Sequence, residues 1–230
     1  MIQWLVQSAT EYSDLARGIA PPGLLHPVEQ HRLAELKLSK RRSEWLIGRW
    51  TAKRLLQACL ERDLKLRLPL NAIGIYNDAR GAPVAMADGG SRIVEWAISI
   101  SHSHGRGFSA ALPDTSIGLG ADIEHIELRD WRFVEDYFTP DEIDRVRAAP
   151  IERRETLITA IWSAKEAALK ALRLGLTIDT RRVHCAIDPR RYSDRDWLEF
   201  NITCTPSYTA MLRGWWRTWG EYVLTVAVVA

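Results

Sequence analysis

Two long stretches constrain this chain more than any other feature. Ser43 to Leu60 and Glu152 to Leu174 carry apolar residues at helical spacing with no proline inside. In the first, Trp45, Leu46, Leu55, Leu56 and Leu60 recur with Arg49 and Lys53. In the second, Ile158, Ile161, Trp162, Ala168 and Leu172 form the core face, and Gly175 ends the pattern. Neither alternates strictly with single strands. After the first come apolar runs at Ile73–Tyr76, Pro83-Val84, Trp96–Ile100 and Phe108–Leu112, with turns at residues 77–81 and at Gly89-Gly90-Ser91. After the second come Val183–Ile187, Leu198–Thr203 and Tyr222–Val229, with Leu212–Trp219 read as the turn region of a terminal hairpin. Helices and antiparallel hairpins in blocks predict an α+β fold.

Shorter signals fill in the order. Pro27–Lys37 predicts a first helix, and Ser43 is a candidate N-cap for the long one, unless that helix starts earlier. Thr139 before Pro140 predicts another helix start, with proline at its first position. Pro113-Asp114 is the expected boundary, giving halves 1–113 and 114–230. Both halves run long helix, strands, closing hairpin. This is a pseudo-repeat of pattern, not of residue identity.

Composition excludes several classes. The chain has 230 residues and a formal net charge of +2, so it carries no global field for nucleic acid or a membrane surface. Any basic site must be local. Cys59, Cys185 and Cys204 are widely spaced and odd in number. They argue against a disulfide framework or a zinc knuckle and for a reducing compartment, hence a cytoplasmic protein. Met1-Ile2-Gln3-Trp4 lacks a charged leader region, and Val223–Ala230 is too short to span a bilayer.

Candidate chemistry starts in the apolar strand Ile117–Ile123. Asp122 and Glu124 are two apart, so on a strand both side chains share one face. Like charges there repel, and a hard cation such as magnesium would offset the repulsion. A wet acidic face explains the spacing equally well. On the second long helix, Glu166 and Lys170 are four apart and share a face. They form either a solvated ion pair, or a third carboxylate with a phosphate partner. Ser101-His102-Ser103-His104-Gly105, at a strand end, suits phosphate contact or an ordinary hairpin turn. Lys40, Arg41, Arg42, Arg49, Lys53 and Arg54 cluster around the first long helix, either as a solvated face or as polyphosphate ligands.

In combination these motifs resemble the signature of 4′-phosphopantetheinyl transferases: Gly120-x-Asp122-x-Glu124, Trp162-x-x-Lys165-Glu166-Ala167, and upstream Ser101-His102-Ser103. Lys40–Arg49 looks like the basic helix start of the larger class, similar to the surfactin- and enterobactin-synthetase activators. The resemblance covers roughly residues 40–175. It implies a pseudo-two-fold α+β fold, two similar halves each with a long helix on a small antiparallel sheet, acting as a monomer. Coenzyme A would bind as substrate, with magnesium, at the junction of the halves. The partner would be an acyl- or peptidyl-carrier protein. Asp122, Glu124 and Glu166 would be the magnesium set. Ser101 and His102 would touch coenzyme A phosphates. Lys170 and Lys165 would hold the diphosphate, and Glu142 is a lesser candidate. Where members often have Gly-Lys-Pro, this chain has Gly81-Ala82-Pro83, so Arg80, with Arg42 and Arg49, stands in for the missing lysine. Trp131, Phe133, Tyr137 and Phe138 lie in a candidate docking segment. The alternatives are a magnesium-dependent phosphohydrolase and a non-catalytic binding module.

Overall fold

The computed structural model describes residues 2–78, 81–87, 96–174, 178–205 and 211–229. Its contacts divide into two compact units, Met1–Ser116 and Ile117–Ala230. Gly89-Gly90-Ser91, Arg80 and Gly175 lie outside the described residues. Among the described residues no helix is long and apolar enough to cross a membrane.

The first unit runs β1 (Gln3–Ser8), α1 (Ser13–Ala16), α2 (Pro27–Glu35), α3 (Ser39–Leu64), β2 (Ile73–Asn77), β3 (Pro83–Ala87), β4 (Ala97–Ser103) and β5 (Arg106–Leu112). The strands β1, β5 and β4 are neighbours in that order, and β2 pairs with β3. Helix α3 is longer than the sequence pattern. Ser43 is not its cap: the helix begins at Ser39, after a Leu38 that makes no side-chain cap bond. It ends where Lys65 turns left-handed (φ 56°). Leu46, Ile47, Leu56 and Leu60 are fully buried along it. Each contributes about 1.5–3 kcal/mol by leaving water. The turn His104-Gly105 has both φ values positive (46° and 73°), as a two-residue hairpin between right-twisted strands requires.

The second unit runs β6 (Gly118–His125), α4 (Trp131–Tyr137), α5 (Pro140–Ala148), α6 (Arg154–Ala171), β7 (Val183–Ala186), β8 (Leu198–Cys204), β9 (Leu212–Trp219) and β10 (Tyr222–Val229). One sheet holds β6-β10-β9-β8-β7. Leu212–Trp219, expected as a turn region, is a full strand, and only Gly220-Glu221 turn the chain. Gly214, Trp216 and Thr218 are its buried face, while Arg213, Trp215, Arg217 and Trp219 are not buried. Tryptophan on both faces hides the alternation. The core of the unit lies between the sheet and α6, through Ile161, Ala164, Ala168, Val183, Phe200 and Val223.

Among the described residues the two units share one order of strands and α-helices: strand, three helices, four strands. The likeness reaches residue identity, which corrects the expectation of pattern alone. Trp50-Thr51-Ala52-Lys53 on α3 matches Trp162-Ser163-Ala164-Lys165 on α6. His26-Pro27-Val28-Glu29 and Thr139-Pro140-Asp141-Glu142 both form capping boxes. In each unit the capping-box glutamate meets the buried helix lysine, Glu29 with Lys53 and Glu142 with Lys165.

Candidate active site

The site in the second unit is built where β6 lies directly against α6. A Cβ at Gly120 would stand 1.8 Å from the Ala167 carbonyl oxygen, so only glycine allows this approach. Two residues on, Asp122 faces the helix and is 3% exposed. Its Oδ1 accepts from Lys170 Nζ at 2.7 Å, and its Oδ2 from the buried Ser163 hydroxyl at 2.8 Å. Lys170 also reaches the Ala121 carbonyl at 3.2 Å.

Glu124 points to the same face and is held by other groups. The Trp162 indole N–H donates to its Oε1 at 3.1 Å, and Arg129 stands 3.5 Å from its Oε2. Trp162 is itself fixed edge-on against Phe133 and Tyr137, at 5.0 Å and 5.2 Å between ring centres. The Arg129 guanidinium covers the Phe133 ring at 4.7 Å. The aromatic residues of α4 therefore brace the site, and Phe138 is 1% exposed. Of the expected docking segment, Phe133 and Phe138 are committed to this packing.

Glu166 completes the acidic set. Burial, then the Asp122 charge, pushes its pKa up to about 7, with Lys170 opposing. Burial, then Asp122, pushes Glu124 up to about 7 as well, against the pull of Arg129 and the Trp162 hydrogen bond, while Glu166 adds to the rise. The three carboxylates thus feel one another's charge. Asp122 and Glu124 are both held by protein donors. Three oxygen-bearing acids with no sulfur or imidazole among them fit a hard divalent ion. Glu124 and Glu166 must give up protons to bind one.

Lys165 has no place at this surface. Its side chain is fully buried, and its ammonium reaches the Thr180 and Val183 carbonyls and Glu142 Oε2. Those three acceptors match the three donors of an ammonium, which removes the expected diphosphate contact. Glu142 is equally sealed: it accepts the Cys185 and Thr139 N–H groups and carries no exposed surface. Its role is to join α5, α6 and β7.

The first unit holds a cavity of about 440 Å³, lined by Arg49, Trp45, His102, Arg32, Tyr76, Pro83 and neighbours. Arg49 is 9% exposed, with its guanidinium over the Trp45 ring at 5.0 Å. Its Nε stands 3.4 Å from Glu29 Oε1 but makes no hydrogen bond. Ser101 is 8% exposed on β4 and does not line the cavity. Arg42 is elsewhere: it donates to the Gly18 and Leu33 carbonyls at 2.9 Å and 3.3 Å and borders a different cavity. Its guanidinium ties chain segments together, so the nucleotide contact expected of it is withdrawn. Arg32, not singled out in the sequence, is on the cavity wall. Its one available signal was its position one turn after Glu29 on the same helix.

The 4′-phosphopantetheinyl transferase superfamily model matches residues 118–227. The chain is 31% identical over 110 residues to the 4′-phosphopantetheinyl transferase psf-1 of Bacillus pumilus, covering 48% of this chain and 44% of that protein. It is 21% identical over 196 residues to the human L-aminoadipate-semialdehyde dehydrogenase-phosphopantetheinyl transferase, covering 82% of this chain and 61% of that one. A solved structure of a Bacillus anthracis holo-(acyl-carrier-protein) synthase, in complex with CoA (3′,5′-ADP), overlaps 50% of this chain and 96% of its own, at TM-score 0.39 and 20% identity. The chain spans 44% and 61% of the two curated relatives it matches here. Asp122, Glu124, Trp162, Ser163, Glu166 and Lys170 lie within the matched span 118–227.

Proposed function

We propose, from the premise that the chain belongs to the 4′-phosphopantetheinyl transferase superfamily through residues 118–227, that it transfers the phosphopantetheine group of coenzyme A to a serine of an acyl- or peptidyl-carrier protein. The serine oxygen attacks the β-phosphorus of coenzyme A. The bond from that phosphorus to the bridging oxygen breaks, and 3′,5′-ADP leaves. The serine proton passes to a base of the site. One observation carries this reading: Asp122 and Glu124 on β6 and Glu166 on α6 place three acids where that strand lies against that helix, with Lys170 on Asp122.

Asp122, Glu124 and Glu166 would hold a magnesium ion. When bound, such an ion neutralises charge on a diphosphate and aligns its leaving group. Lys170 is 29% exposed at its side chain, the accessible cation of the set, and would stabilise the same charge. Glu124 or Glu166 would take the serine proton in the loaded site. In the first unit, Arg49, Arg32 and His102 would serve the phosphorylated nucleotide, with Trp45 and Tyr76 beside it.

The test is incubation of the chain with coenzyme A, magnesium and a panel of apo carrier proteins, read by mass spectrometry. The expected result is a phosphopantetheine mass added to a carrier serine, abolished by Asp122→Ala. Full modification by Asp122→Ala would overturn the acidic-set assignment. Coenzyme A cleavage with no mass added to any carrier would replace transfer with hydrolysis.

A further inference from the structure

A hydroxyl pair stands behind Asp122. Thr225 on β10 lies directly opposite Asp122 in the strand register. Its Oγ1 is 2.8 Å from Ser163 Oγ and donates to the Ser163 carbonyl at 2.9 Å. Ser163 Oγ is 2.8 Å from Asp122 Oδ2. Ser163 and Thr225 are both fully buried. Each hydroxyl has one hydrogen, and an ionised carboxylate can only accept. The Ser163 hydrogen therefore goes to Asp122. The Thr225 hydrogen goes to Ser163, at its Oγ or its carbonyl, and holds the serine in that direction.

The first unit supplies an internal control. Thr51 occupies the position of Ser163 in the shared Trp-x-Ala-Lys frame. Counting from the matching hairpin turns, Ser109 corresponds to Thr225 and its partner Leu5 to Asp122. With no carboxylate opposite, the Thr51 hydroxyl turns back and donates to Ile47 O of its own helix at 2.8 Å. The hydroxyl leaves the helix only where there is a carboxylate to hold.

We infer that Ser163, backed by Thr225, is a positioning residue that fixes the Asp122 carboxylate for a divalent ion. It holds Oδ2 in place, while Lys170 holds Oδ1. The inference rests on the proposed reading of Asp122 as a metal ligand. Groups that orient a ligand in this way are typically worth about 10–100-fold in metal affinity.

The experiment measures Mn²⁺ binding to the full chain by the electron paramagnetic resonance of free Mn²⁺, with folding checked by circular dichroism. Asp122→Asn is the control and is expected to lose binding. Ser163→Ala is expected to bind roughly tenfold more weakly. Ser163→Thr, which restores the hydroxyl, is expected to recover most of that loss. Thr225→Val is expected to weaken binding by less, and to add nothing in the Ser163→Ala background, because it acts through Ser163. Wild-type affinity in folded Ser163→Ala, with Asp122→Asn dead, overturns the positioning role alone. Wild-type affinity in Asp122→Asn overturns the metal reading and this inference with it. Should Ser163→Ala fail to fold, Thr225→Val decides: weakened binding supports the relay, and unchanged binding overturns it.

Discussion

Lys165 Nζ lies 2.8 Å from Glu142 Oε2, and neither side chain reaches solvent. The pair fastens α6, one residue before Glu166, to the capping box of α5. Lys165→Met takes from the buried Glu142 its ammonium partner and leaves it the Cys185 and Thr139 N–H groups, a change expected to cost about 3–5 kcal/mol. Glu142→Gln, made on top of Lys165→Met, should cost less than it does alone, because the charge it removes has already lost its partner. A double-mutant cycle by urea unfolding should therefore give a coupling of about 1 kcal/mol or more. Additive losses would show that the two charges do not support one another.

Gly120→Ala addresses the contact of β6 with α6. The new methyl would sit 1.8 Å from the Ala167 oxygen, a backbone atom that cannot rotate away. The strand has to lift, and Asp122 with it. Overpacking of this kind costs typically about 1–3 kcal/mol. The expected result is a melting temperature lowered by roughly 2–4 °C per kcal/mol, together with weaker divalent-ion binding. An unchanged melting temperature would mean that the strand does not need this approach.

Glu124 and Glu166 give a pH dependence with a definite sign. Both folded pKa values, about 7, lie above the ordinary 4.5. The folded state therefore binds more protons than the unfolded chain between these values, and stability falls as pH rises through that window. Above about pH 7 the penalty is fully present. Glu166→Gln is expected to raise the melting temperature at pH 8 and to change it little at pH 4, where both states are protonated. Divalent-ion affinity should climb from pH 6 to pH 8 as these groups lose their protons. A gain in stability from Glu166→Gln that is equal at both pH values would remove the charge as its cause.

The two long helices, the class of fold and the acidic strand were legible in the sequence because periodicity and residue spacing carry them directly. Asp122 and Glu124 share a face by the geometry of any strand. The roles of the basic residues were not legible. Lysine is almost never fully buried unless paired, so Lys53 read as a solvated face or a polyphosphate ligand and Lys165 as a diphosphate contact, and their glutamate partners stand far off in sequence. The pairing could have been found by aligning the two halves, where Pro-x-Glu precedes Trp-x-Ala-Lys in each. Three identical residues in a helix are easily passed over when the next residue differs as Arg54 does from Glu166. That difference also matters chemically. Against Asp122, Glu124, Glu166 and Lys170, the first unit has Leu5, Gln7, Arg54 and Ala58 at the matching positions. The frame is repeated, but the acids belong to the second unit.

Arg49 and Arg42 are seven residues apart on α3, and the cavities separate their roles. Arg49 lines the cavity with His102 and Arg32, while Arg42 has its guanidinium on the Gly18 and Leu33 carbonyls. The Arg49 guanidinium lines the cavity, and its buried Nε makes no hydrogen bond to Glu29 although the two stand 3.4 Å apart, so a phosphate in the cavity would gain a charge-assisted bond from the guanidinium. Such bonds are worth about 1.5–3 kcal/mol, or roughly tenfold and upward in affinity. Calorimetry should find that Arg49→Ala weakens coenzyme A by about tenfold or more and barely alters binding of 3′-dephospho-coenzyme A. Arg42→Ala should lower stability and leave the ratio of the two affinities unchanged. An equal loss for both ligands in Arg49→Ala would place the 3′-phosphate elsewhere and leave the substitute for the missing lysine at Ala82 to other residues.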